Sequence, residues 1–209
     1  MPIPVLLLIG LTVAISAYAW SNDNLMQAWI LRPYVMARER GQWYRFVTSG
    51  FLHADWGHLF FNLLTFYFFA DNAFYQFAAR FGPVGGTAAF LLLYIGGIVV
   101  SDIPTYLRHR DDRLYGSLGA SGGVASVMFA GILFQPTAKI YMMFLPIGIP
   151  GFIWGGLYLL YSQYMGRQSH DNINHDAHFY GALWGLVITL VLVPAALGIF
   201  WAGIRQFIS

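Results

Sequence analysis

The chain has 209 residues, of which 58% are hydrophobic, 18% aromatic and 10% charged, with a net charge of +2. Globular domains carry about 25% charged residues, so a soluble fold of this size cannot hide that much apolar surface, and lipid is the implied solvent for most of it. The small net charge and the lack of a basic run give no case for nucleic-acid binding, and the absence of cysteine removes disulfides, thiolate metal sites and a cysteine nucleophile.

A spanning helix needs about 20 mostly apolar residues, and six segments qualify as candidates: 3–20, 56–77, 81–101, 116–134, 140–161 and 177–204. The first has a rival reading as a signal peptide, because Ala17-Tyr18-Ala19 matches a small-x-small cleavage site. No Lys or Arg precedes that apolar stretch, which argues against cleavage. The loop 21–55 mixes Trp29, Tyr34, Trp43, Tyr44 and Phe46 with Arg32, Arg38, Glu39, Arg40 and Arg45, a composition suited to the headgroup zone. Segment 140–161 carries Pro146 and Pro150, and segment 177–204 carries Pro194. Neighbouring helices can re-satisfy backbone groups freed by proline in a membrane. The alternating hydrophobicity of a membrane barrel is missing. The expectation is one all-α membrane domain over 1–209, with no internal repeat. The basic-residue count opposes Arg32, Arg38, Arg40, Arg45, Arg108, Arg110, Arg113 and Arg167 to Arg80, Lys139 and Arg205. Taken alone, it puts the first group, and with it the loop 21–55, in the cytoplasm.

Polar groups at bilayer depth are functional candidates. Ser121 lies in Gly119-Ala120-Ser121-Gly122-Gly123. Gly119 and Gly123 form a G-x-x-x-G pair, which by itself means helix packing. A hydrolase elbow of the G-x-S-x-G type needs a strand-to-helix turn in an alternating soluble fold, absent here. The third reading is a nucleophile at the N-terminal end of a spanning helix, where N–H groups and the helix dipole favour an oxyanion. His178, Gly181 and Gly185 share one face of the last segment. Close packing of that face on Gly119, Gly123 and Ala125 would bring His178 to Ser121 as a general base. A structural histidine bonding a neighbouring helix is the alternative. His175, Asp176 and His178 could also suggest a metal, but they offer no H-E-x-x-H pattern and no obvious further ligand, so no metal is expected. His58 and Asn62 are four apart and share a face, as two oxyanion donors would, or as two side chains tying helices together. His53 precedes them and braces the loop or aids the same site.

Taken together, Trp43-Tyr44-Arg45, His53 through His58 to Asn62, Gly119-Ala120-Ser121-Gly122 and Ala177-His178 with Gly181 and Gly185 resemble the motifs of the rhomboid intramembrane serine proteases. The resemblance implies a six-helix bundle with Ser121 as nucleophile and His178 as base. It implies that His58, Asn62 and the Ser121 N–H hold the oxyanion, supported by His53 and the four glycines, with Trp43 and Arg45 as a loop motif. No acidic third member and no cofactor are implied. Its substrates would be transmembrane proteins, admitted past a gate at Met142, Met143, Phe144, Phe152 and Trp154, residues that could equally be lipid-facing. It also implies a cytoplasmic N-terminus with the serine near the outer face, against the charge count, and we adopt that orientation. A bacterial plasma membrane is the expected location. Two positions depart from the pattern. Some relatives place a tyrosine four residues after the serine, against the histidine ring, where this chain has Ala125. The arginine of the loop motif follows Tyr44, with Trp43 one place earlier. The competing readings are a catalytically inactive rhomboid-like module that binds membrane proteins, and a small-solute channel.

Overall fold

The computed structural model describes residues 1–142, 145–168 and 173–209. Helix α1 (Ile3–Trp20) buries Val5, Leu8, Thr12, Ser16 and Ala19 at helical spacing. Its opposite face exposes Ile3, Leu6, Leu7 and Leu11. A helix apolar on both faces is stable on the outside of a bundle only in hydrocarbon. The long loop folds into short helices α2 (Asp23–Trp29), α3 (Pro33–Arg38) and α4 (Arg45–Thr48), with 3₁₀ turns at Gln42–Tyr44 and Ser49–Phe51.

Helix α5 (Trp56–His109) opens on Asp55, whose carboxylate accepts the His58 N–H at 2.8 Å. It merges the second and third expected spans into two limbs, 56–81 and 83–109, broken at Gly82 (φ 74°, ψ 175°). The limbs close tightly just past the break, where a Cβ on Gly86 would lie 2.5 Å from the Ala78 Cα. Gly82 supplies the left-handed turn at no steric cost.

Helix α6 (Ser121–Phe134) has 14 residues, about 21 Å of rise. It is shorter than the expected 116–134, because Gly119 sits at φ 126° and Ser117 pairs as an isolated bridge with Leu31. Every residue from Gly122 to Phe134 is buried, so α6 is the axis of the molecule. The expected fifth span is corrected in its first half. Residues Lys139–Met142 (β1) and Leu145–Pro150 (β2) form an antiparallel hairpin, pairing Lys139 with Pro150 and Ile140 with Ile149. Pro146 and Pro150 would each interrupt a helix there, and Pro150 instead serves as the N-cap of α7 (Gly151–Met165).

The sixth span is also corrected. Helix α8 (His175–Leu192) ends before Pro194, and α9 (Ala195–Ile208) leaves at 110°. Among the described residues two helices are long and apolar enough to cross a membrane, or three if α8 and α9 count together. The six-span count therefore does not carry over from sequence to structure, while the apolar helical bundle does.

Candidate active site

Ser121 is the first residue of α6. Its N-cap, Ala120, provides no side-chain acceptor. The first N–H groups of a helix have no partner within the helix, so this end presents donors and a partial positive charge. Gly119, two residues earlier, is fixed twice over. Its φ is positive, and a Cβ there would lie 2.7 Å from Cε1 and 2.8 Å from Nε2 of His58. The His58 ring tip thus rests on the Gly119 backbone, beside the start of α6. The Gly119 N–H donates to the Ser49 carbonyl at 3.0 Å, tying this turn to the loop.

The contact between α6 and α8 is made backbone to backbone. A Cβ on Gly181 would lie 2.3 Å from the Gly122 carbonyl oxygen, and one on Gly185 equally close to that of Ser126. Both pairs advance four residues, so the helices run parallel. Ser121 directly precedes Gly122, and His178 lies one turn before Gly181, at the same end of the pair. The other face of α6 meets α5 as closely: a Cβ on Gly122 would overlap Ser101 Oγ, and one on Gly123 would lie 2.7 Å from the Tyr94 carbonyl oxygen.

A polar clip fixes the start of α8. Asn174 caps it by accepting the Ala177 N–H at 3.1 Å, while its amide donates to Thr105 Oγ1 at 2.9 Å and Ser117 Oγ at 3.1 Å. Asp176 pairs with Arg108, which also donates to the Gly166 carbonyl at 3.2 Å. Asp176, beside His175 and His178 in sequence, is therefore engaged by an arginine. His175 is buried, with its ring edge-on to Tyr161 (5.6 Å) and to His178 (5.9 Å).

The remaining expected residues sort by position. Asn62 is buried, and its amide donates to the His58 carbonyl one turn back at 3.0 Å. His53 is fully buried in the loop wall, its ring 4.9 Å from that of His58. Arg45 is buried and donates to Gln42 Oε1 (2.7 Å) and to the Gln27 and Ile30 carbonyls (2.9 and 2.7 Å). Trp43 is exposed and packs on Phe46 and Tyr106. These two residues hold the loop together and seat it on α5. Of the expected gate, Met143 and Phe144 lie outside the described residues, as does the Met142 side chain. Phe152 meets Phe207 at 5.9 Å, and the adjacent Gly151 faces Pro136, just beyond the far end of α6. The α7 residues that approach His178 and His175 are instead Tyr158 and Tyr161. Sequence reading missed them, although Tyr158 and Tyr161 share the i, i+3 spacing of His175 and His178 and so present matching faces.

Residues 40–195 match the family described as Rhomboid domain. The chain belongs to the rhomboid family. It is 28% identical over 174 residues to RHOMBOID-like protein 12, mitochondrial, of Arabidopsis thaliana, covering 79% of this chain and 48% of that one. It is 27% identical over 168 residues to a Bacillus subtilis (strain 168) protein named "Putative rhomboid protease YdcA", covering 77% and 72%. It is 26% identical over 188 residues to Rhomboid-like protein 11, chloroplastic, of Arabidopsis thaliana, covering 81% and 60%. The chain thus spans about half the length of the first of these relatives. The family makes the chain a membrane protein, while relatives from a bacterium and relatives named mitochondrial and chloroplastic do not establish a bacterial location.

Proposed function

We propose that the chain is an intramembrane serine endopeptidase that cleaves transmembrane proteins with a Ser121–His178 dyad. The observation that carries this reading is the parallel glycine contact of Gly122 with Gly181, which sets the first residue of α6 and the first turn of α8 at one end of the pair. Ser121 Oγ attacks the scissile carbonyl while His178 takes its proton. The oxyanion develops at the N-terminus of α6, and the Ser121 N–H, His58 and the Asn62 amide hydrogen not given to the His58 carbonyl are its proposed donors. His178 then protonates the leaving amine. A water, deprotonated by the same imidazole, hydrolyses the acyl-enzyme. Helical substrates keep their carbonyls hydrogen-bonded, so cleavage favours segments whose residues weaken a helix.

The test uses purified protein and a labelled transmembrane peptide. Wild type cleaves, while Ser121→Ala and His178→Ala are silent. His58→Ala or Asn62→Ala slows turnover by about 10- to 1000-fold, the range for losing one oxyanion donor. A wild-type protein that binds the peptide without cutting it would favour the inactive binding module. Unchanged rates in both His58→Ala and Asn62→Ala would remove those residues from the site.

A further inference from the structure

We propose that Tyr158 of α7 is the positioning residue for the His178 imidazole, an inference that rests on the dyad reading above. The two rings lie 6.0 Å apart between centroids with planes only 22° apart. The two rings are therefore close to parallel. The contact of His178 with His175 is edge-on, at 78°.

The surroundings explain why the supporting ring comes from α7. On α6 the residue one turn after Ser121 is Ala125, and on α8 the residue one turn after His178 is Ala182; both are buried. These two alanines, with Met128, Phe129 and Ile132, form a small apolar cluster against which Tyr158 packs. The Phe129 ring holds Tyr158 from the side, 5.6 Å away at 53°. Small residues on two helices thus leave room for a large ring from a third. A general base must keep its ring within hydrogen-bond reach of the hydroxyl it deprotonates. An imidazole has free rotation about χ2 unless a neighbour restricts it. A near-parallel ring from Tyr158 and an edge-on ring from His175 both restrict that rotation.

One turn along, Tyr161 meets His175 edge-on, so α7 and α8 touch through two ring pairs in register. The base is therefore oriented by a helix other than the one carrying the nucleophile, and displacement of α7 would relax His178 without moving Ser121.

The experiment compares Tyr158→Phe and Tyr158→Leu with wild type. Tyr158→Phe keeps the flat ring and retains kcat within about 3-fold. Tyr158→Leu keeps apolar bulk but loses the ring face, and lowers kcat by about 10- to 100-fold with KM within about 2-fold, as misorientation of a reacting group does. Equal kcat in all three, with Ser121→Ala silent, would overturn the role of Tyr158 and leave the dyad standing. Cleavage surviving in Ser121→Ala would overturn the dyad instead. A second measurement does not need turnover. In the proton NMR spectrum, the His178 ring signals, identified by their loss in His178→Gln, lie upfield from ring current. They keep that shift in Tyr158→Phe and lose it in Tyr158→Leu. Identical shifts in the two variants would sink the proposal whatever the protein cleaves.

Discussion

His53 is the residue in which the loop and the site meet. Its side chain is fully buried, and its carbonyl accepts the Trp20 indole N–H at 2.8 Å. Ser16 Oγ lies 2.9 Å from both the Phe51 carbonyl oxygen and His53 Nδ1. A hydroxyl has one proton, and a carbonyl can only accept, so Ser16 donates to Phe51 and His53 donates from Nδ1. Burial, and then the neighbouring His58, push the His53 pKa down from 6.5 to about 3, with Asp55 opposing. The unfolded chain takes up this proton near the ordinary value while the folded chain refuses it. The stability so gained is complete above about pH 6.5 and drains away as pH falls towards 3. Melting temperature in detergent should therefore fall between about pH 7 and about pH 4, and fall less in His53→Gln, which cannot titrate. Equal slopes for the two proteins would mean His53 does not govern acid stability. The sequence placed His53 in this loop by its spacing from His58. It could not show that the residue is a neutral wall, because the burial comes from α1, far away in the chain.

At the scale of the element, the α6–α8 contact decides whether the site exists. Gly181 and Gly185 have the α6 backbone where a Cβ would stand. A methyl group there must push two helices apart, and overpacking of this kind costs about 1–3 kcal/mol. Gly156, on α7, has nothing within 4 Å of its Cβ position. Alanine in an exposed helix is favoured over glycine by about 0.5–1 kcal/mol. Gly181→Ala should therefore lower the melting temperature by several degrees and abolish cleavage, while Gly156→Ala leaves both intact or raises the former. Equal melting temperatures for the two variants would contradict a backbone contact. The α8 half of this face was legible in the sequence, since Gly181 and Gly185 fall at helical spacing, but the α6 half was not: Gly122 and Ser126 meet them, while Gly119 lies against His58 and Gly123 against Tyr94 of α5. The hairpin β1–β2 and the bend at Pro194 were not legible either. Hydropathy fixes that a segment is apolar, and a proline's tolerance in lipid depends on neighbours the sequence does not order.

The whole molecule has two unlike ends, and the chain alternates between them. The bridge of Leu31 with Ser117, the ion pair of Arg38 with Asp111 and that of Arg108 with Asp176 gather the long loop, residues 110–120 and the start of α8 at the Ser121 end. The Gly82 break, the β1–β2 hairpin and the Pro194 bend follow helices that run away from that end. The basic residues crowd the Ser121 end, which on count alone would face the cytoplasm. Yet Arg32, Arg38, Arg45 and Arg108 all bond within the protein, and Arg113 lies over the Tyr34 ring at 5.2 Å. Five of the eight are thus committed to holding the fold, and the charge bias that orients a chain during insertion is correspondingly poor evidence here. The absence of native cysteine makes the question directly measurable, because one introduced thiol reports without background. Leu114 at the Ser121 end is 96% exposed and Val84 beside the Gly82 break is 85% exposed. In bacterial cells expressing each variant, an impermeant maleimide should label Leu114→Cys directly and Val84→Cys only after the membrane is opened. The reverse pattern would place Ser121 on the cytoplasmic side, and with it the cut in any substrate, so the arginine count would have been right despite the internal bonds.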